Sequence, residues 1–247
     1  MNPTDSNPTN PPPVPERDEP QPIGTNLRGL FEALLRRPRE LAGHDLLERP
    51  GSLGRLAVMA LLAILVYGFV LGTFAWREQI WAAPIKLGGG LLFAGLICFP
   101  SLYIFSCLAG CTASATRLAG ILSGMLGLAG LLLLGFAPAI WIFTQGTTSF
   151  GFMGTLAIGS WLIAFIFAAR FLDQALRVHG ATQKGPIAIW SIIFLLVTLQ
   201  LTTSLRPILG TSDRFMTTEK KFFLQHWGDT FDETYQPELI DISSASR

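Results

Sequence analysis

"LAGILSGMLGLAGLLLLGFAPAIWIFTQGTTSFGFMGTLAIGSWLIAFIFAA", residues 118–169, contains no Lys, Arg, Asp or Glu. A hydrocarbon core about 30 Å thick is crossed by roughly 20 apolar residues rising 1.5 Å each, so this stretch is long enough for two crossings. The polar "TQGTTS" at 144–149 divides it and returns the chain to the face it left. Three further charge-free stretches, 56–76, 87–116 and 185–205, hold one crossing each. The fold class that follows is all-α: a polytopic membrane protein with five transmembrane helices near 56–76, 87–109, 118–143, 151–171 and 187–205. Composition agrees, since half of the 247 residues are hydrophobic and only 14% are charged, a balance that a soluble domain does not show. Within the second span, "LGGGLLFAG" at 87–95 and Pro100 predict a weak or kinked helix.

Five crossings put the termini on opposite faces. Lys and Arg in short connections mark the cytoplasmic side. One face receives Arg28, Arg36, Arg37, Arg39, Arg49 and Arg55 before the first span, Arg117 between the second and third, and Arg170, Arg177 and Lys184 between the fourth and fifth. The other receives Arg77 and Lys86 in the first loop, none in "TQGTTS", and then the basic residues of the tail. The short loops favour a cytoplasmic N-terminus. Phe74, Trp76 and Trp81, with Trp141, Phe143 and Phe150, then fall at the outer headgroup layer, where aromatic rings concentrate.

Four segments result. Residues 1–26, with eight prolines, cannot bury enough apolar surface to fold and read as a disordered cytoplasmic tail. Residues 27–55 form a cytoplasmic interfacial amphipathic segment. In "LRGLFEALLRRPREL", 27–41, Leu27, Leu30, Phe31, Leu34 and Leu35 share one helical face. Two placements suit that stripe: in the acyl boundary, with Arg28, Arg36, Arg37 and Arg39 on anionic headgroups, or docked against the bundle. Residues 56–205 are the five-helix domain. Residues 206–247 form an extracytoplasmic tail, where the spacing of Met216, Phe223, Trp227 and Phe231 predicts a short amphipathic helix over 215–231.

Chemistry is sparse. Net charge is +1, leaving no nucleic-acid footprint, and no cofactor is implied. Cys98, Cys107 and Cys111 with three scattered histidines make no metal site. No serine with a base, aspartate pair or HExxH motif lies within the spans, so no catalytic residues are assigned. The only inner-face polar group of catalytic type is Asp173 with Arg177 and His179. The fifth span carries a candidate polar face, Gln200, Thr203 and Ser204 leading to Arg206, which suits either helix-to-helix hydrogen bonds or a binding cleft. In the third, Gly120 and Gly124 with Ser123 and Gly127 pair small residues four apart, for internal packing or for a second subunit.

The amphipathic stretch "FEALLRRPRELAGHDL", 31–46, followed by five spans with an inner N-terminus and an outer C-terminus, resembles the Yip1-type membrane protein superfamily. The chain departs from its eukaryotic members in a longer outer tail and a bacterial-looking set of fourteen arginines to four lysines. The resemblance implies a non-enzymatic integral protein that binds other membrane proteins. The reading is thus a scaffold or accessory subunit in a bacterial inner membrane, in contact with lipid and open to oligomerisation. The alternative is a transporter or channel component using the fifth-span polar face. Reporter fusions at Met1 and Arg247 are expected to report opposite compartments, with Met1 inside; the same compartment for both refutes the count of crossings.

Overall fold

The computed structural model describes residues 26–43, 49–75, 79–147 and 149–204. All regular structure among them is helical: α1 (Leu27–Arg36), α2 (Pro38–Gly43), α3 (Pro50–Gly72), α4 (Gln79–Leu108), α5 (Ala115–Gly146), α6 (Phe150–Val178) and α7 (Lys184–Ser204). The five from α3 onward are long and apolar enough to cross a membrane. The tail helix expected over 215–231 and the proline-rich segment lie outside the described residues.

Local chemistry sets the helix ends. Pro50 opens α3 at a position where its missing N–H costs nothing. Ser114 and Ser149 cap α5 and α6, their hydroxyls accepting from Arg117 N at 3.2 Å and Phe152 N at 3.4 Å. Between α1 and α2, Arg37 leaves the helical region at φ −136°, as the residue before a proline tends to do.

The second span is one continuous 30-residue helix with both Pro84 and Pro100 inside it, so the glycine-rich stretch at 87–95 is helical despite its weak propensity. Helix propensity loses to packing here. A Cβ at Gly88 would lie 3.2 Å from Leu61 and 3.3 Å from Leu65, and one at Gly68 only 2.6 Å from Pro84 Cα, so the missing side chains are what bring α3 and α4 together. The helix also begins before residue 87, which moves Lys86 out of the loop assigned to it and into α4, with 7% of its surface exposed.

Helix α5 is the centre. Leu118, Ile121, Met125 and Ile140 are each at most 1% exposed, and the helix packs on α3, α6 and α4. A constant offset of 70 residues relates the hairpin α4–α5 to the hairpin α6–α7. Gly110 and Gly180 both adopt positive φ, 88° and 95°, closing α4 and α6 in the same left-handed cap. Cys111 N donates to Ser106 O at 2.9 Å, and Ala181 N to Leu176 O at 3.0 Å. The two turns then bond each other reciprocally, Thr112 N to His179 O at 3.0 Å and Thr182 N to Ala109 O at 2.9 Å. Burial obeys the same offset: Ala94, Cys98 and Leu102 match Ala164, Ala168 and Leu172, and Gly120, Gly124 and Leu128 match Trp190, Phe194 and Thr198, all buried. The bundle is two like hairpins related by a pseudo-two-fold axis along the helices, with α4 packed on α7 as α5 is on α6, and α3 added on the outside of the first.

Gly110→Ala and Gly180→Ala are each expected to cost about 1–2 kcal/mol, the penalty of a side chain in the left-handed region. Gly135→Ala inside α5, where a Cβ meets nothing within 4 Å, serves as the control in detergent unfolding titrations and is expected to stabilise by up to about 1 kcal/mol.

Candidate functional site

Helices α1 and α2 lie across the end of the bundle where the two hairpins turn. Leu30, Leu34 and Leu41 are fully buried, and Leu34 Cδ2 would stand 3.2 Å from a Cβ at Gly127. The apolar stripe is split: Leu30, Ala33 and Leu34 dock on the bundle, while Leu27, Phe31 and Leu35 stay 41–49% exposed along the adjacent edge. Beyond that edge come exposed Arg28, Glu32 and Arg36. The helix therefore has three faces in rotation order: protein, bare apolar surface, charge. A helix so divided fits the corner where bundle, acyl chains and water meet. Arg36 lies 3.4 Å from Glu32 and Arg37 3.6 Å from Glu40, on exposed side chains where such pairs contribute little. Arg39 belongs to α2.

Gly120, Ser123, Gly124 and Gly127 of α5 are all buried within the bundle. Gly124 would put a Cβ 3.0 Å from the Phe171 ring, Gly127 meets Leu34 and Met59, and Gly120 and Ser123 are buried, Ser123 donating to Ala119 O at 2.9 Å. The large side chains come from the second hairpin and the small ones from the first: Phe171 packs on Gly124, while Trp190 Nε1 donates to Ser101 Oγ at 3.1 Å and Cys98 O at 3.2 Å.

Polar side chains in the spans are mostly taken up by structure. Thr198 donates to Phe194 O at 2.8 Å, and Ser191 to Ile187 O at 2.9 Å. Tyr67 and Ser160 share a buried hydrogen bond of 2.8 Å between α3 and α6, a contact no sequence pattern announced because the two residues stand 93 apart. Of the candidate polar face, Gln200 is half-buried on α7, Thr203 and Ser204 belong to its last turn, and Arg206 lies outside the described residues.

At the turn end, Arg177 and Asp173 pair through two bonds of 2.9 and 3.1 Å. Arg117 Nη1 stands 3.4 Å from His179 Nδ1; a guanidinium only donates, so that nitrogen accepts. Asp173 and Arg177 thus hold each other, and Arg117 holds His179. Cys107 is exposed, while Cys98 and Cys111 are buried; burial pushes the Cys111 thiol above its ordinary pKa, which disfavours the thiolate. The crevice between the hairpins, bounded by Leu91, Met125, Leu133, Trp161, Phe165 and Phe194, is apolar and leaves about 10 Å³ of free space, barely one water molecule.

Comparison of the chain with protein-family models, curated proteins and solved structures returned no match.

Leu34→Ala is expected to cost about 2–5 kcal/mol, the range for emptying a buried leucine site, and to raise hydrogen exchange across residues 27–43 before the rest. Leu35→Ala, at an exposed position, should leave exchange unchanged.

Proposed function

We propose that the chain is a non-enzymatic scaffold or accessory subunit of a larger membrane protein complex, seated in a bacterial cytoplasmic membrane with Met1 inside. The observation that carries this reading is the filled interface between the hairpins. Parallel repeats in transporters meet around a substrate site near mid-bilayer; here the same place holds Leu91, Met125, Phe165 and Phe194 around about 10 Å³. The polar groups nearby, Tyr67 with Ser160 and Trp190 with Ser101, join helices to one another. Support for an assembly role comes from the N-terminal helices. They present a bare apolar edge beside charge at one end of the bundle, which suits anionic headgroups at Arg28, Arg36, Arg37 and Arg39. The resemblance of residues 31–46 and the five-span layout to the Yip1-type superfamily points to the same class.

The alternative, a transporter or channel component, has the Gln200 amide in its favour, but that residue lies on the outward side of α7 rather than between the hairpins.

Extraction from the native membrane in mild detergent, followed by native mass measurement, is expected to give a species heavier than the 26.9 kDa chain that contains a second membrane protein. A species made only of this chain refutes the reading.

A further inference from the structure

The five spanning helices form two rows, α3, α5 and α6 in one and α4 with α7 in the other. Their close contacts fix which residues share a level. A Cβ at Gly127 of α5 would meet Leu34 of α1 at 3.2 Å and lie 3.8 Å from Leu56 O of α3. One at Gly124 would meet the Phe171 ring of α6 at 3.0 Å, and one at Gly95 of α4 would meet Leu126 of α5 at 3.1 Å. Arg55, Arg170 and the charged edge of α1 therefore stand within about one helical turn of the level of Gly95. Arg55 and Arg170 are exposed, and they bound the apolar surface of the first row. Helix α3 exposes Val58, Leu62, Val66 and Phe69 beyond Arg55, while α6 exposes Phe152, Ile163, Ile166 and Phe167 before Arg170 and then turns polar with Asp173, Gln174 and Arg177. Between them, α5 has no exposed residue from Arg117 to Leu134.

The second row does not stop at that level. From Gly95, α4 runs on to Leu108, about 20 Å further at 1.5 Å per residue, and on the way exposes Leu96, Ile97, Ile104 and Leu108 at 58–70%. Beside it, Trp190 of the antiparallel α7 bonds to Cys98 and Ser101, and Ile189, Ile192 and Ile193 are 37–56% exposed. No charge occurs on α4 after Lys86 or on α7 after Lys184. At the far end the order is reversed. A Cβ at Gly68 of α3 would lie 2.6 Å from Pro84 Cα, so Lys86 is level with about Val66, and α7 ends at that level with Ser204. The first row continues past it, α3 through Thr73–Ala75 and α5 to Gly146, with Trp141, Ile142 and Phe143 exposed. Each row thus carries one bilayer's length of apolar surface, about 33 Å from Lys86 to Leu108 on α4 and about 30 Å from Phe150 to Arg170 on α6. The two belts are displaced along the bundle by about 15 Å, in the same direction at both ends.

We propose that the bundle sits obliquely in the bilayer, so that acyl chains cover α4 and α7 down to the turn end but cover α3 and α6 only as far as Arg55 and Arg170. With helix layers 8–10 Å apart and lipid faces about 20 Å apart, a displacement of about 15 Å inclines the axis by roughly 30–40°, the upper end of the range for spanning helices. An upright bundle has to put Arg55, Arg170 and the charges of α1 into hydrocarbon, or leave Leu96, Ile97, Ile104 and Leu108 in water, and both are costly. A protein partner over the turn half of α4 and α7 fits less well than lipid, because it leaves those helices only about 15 Å of apolar surface for a layer of about 30 Å. The inclination also brings Leu27, Phe31 and Leu35, the bare edge of α1, to the acyl boundary in the plane of Arg55 and Arg170. The polar end of α6, with α2 packed on it, then stands clear of the lipid on one side, while Thr112 and Lys184 lie at the headgroups on the other. The inference rests on five crossings and is independent of the assembly role.

The test uses the full chain with its three cysteines replaced by alanine, reconstituted in phosphatidylcholine–phosphatidylglycerol vesicles. A nitroxide label is attached through Ile104→Cys on α4 or Val178→Cys on α6, two exposed positions near the same end of the bundle. The label on α4 is expected to be more accessible to oxygen than to a nickel chelate, as acyl-chain depth requires, and the label on α6 to show the reverse. A third label through Ile142→Cys, at the far end of α5, is expected to match Ile104. Equal depth at Ile104 and Val178 overturns the proposal, and so does a label at Ile104 shielded from both reagents, which means that protein covers α4. Polarised infrared spectroscopy of the unaltered chain in oriented bilayers of the same lipids does not depend on how any variant folds. Its mean helix inclination is expected to exceed about 30°, and the ordinary value of about 20° or less overturns the proposal. Opposite compartments at Met1 and Arg247 together with such an upright bundle refute the inclination alone and leave the five crossings standing.

Discussion

Two reciprocal backbone hydrogen bonds, Thr112 N to His179 O and Thr182 N to Ala109 O, tie the two hairpins together at one end of the bundle. Each joins a turn whose own geometry depends on a glycine with positive φ, Gly110 or Gly180. In lipid, regular helices satisfy their own backbone groups, and helix ends are where unsatisfied carbonyls and amides collect. The clasp disposes of several of these at once and aligns the hairpins in depth. With that alignment set, Phe171 can face Gly124 and Trp190 can reach Ser101; a slip of one turn, about 5.4 Å, would lose both.

The packing between hairpins is symmetric in position and asymmetric in size. Where one has glycine the other has an aromatic ring, as at Gly120 and Trp190 or Gly124 and Phe194. Like-sized residues on both sides would leave either voids or clashes, and a cavity or an overpacked contact each costs stability. The exchange also explains why the interface holds so little free space. Trp190, Phe194, Phe165 and Trp161 stack in succession at centroid separations of 5.1 to 6.2 Å, filling with rings the seam that α6 and α7 leave between their backbones. The first hairpin instead carries glycines along its outer groove, and a helix backbone, α3, comes close enough to lie in it. The same architecture thus produces a covered groove and an uncovered one, according to side-chain size.

Lys86 and Tyr67 show where polar residues go in such a bundle. Lys86 is 7% exposed in α4, on a helix that begins well before the charge-free run does. Charge gaps mark the hydrocarbon core, whereas helices extend past it: α5, with 32 residues, is about 48 Å long at 1.5 Å per residue, well beyond the roughly 30 Å of the apolar layer. At the turn end α2 packs on α6, where a Cβ at Gly43 would meet Val178 at 3.3 Å.

The number of spans and the helical class were legible in the sequence, because the cost of a charge in hydrocarbon leaves gaps of about twenty residues that need no partner to be recognised. The amphipathic character of residues 27–36 was legible too, since periodicity is a property of a single helix. The destination of its stripe was not: Leu34 buried and Leu35 exposed are neighbours of the same type, and only the position of Gly127 and Leu56 separates them. The 70-residue correspondence also lay hidden, because it resides in burial and turn geometry while the side chains that match, such as Gly120 and Trp190, differ as much as two residues can. Which glycines pack inward and which groove stays open are relations between helices, decided when the chain folds, since hydropathy records only a residue's preference for lipid over water and lipid-facing and buried side chains share it.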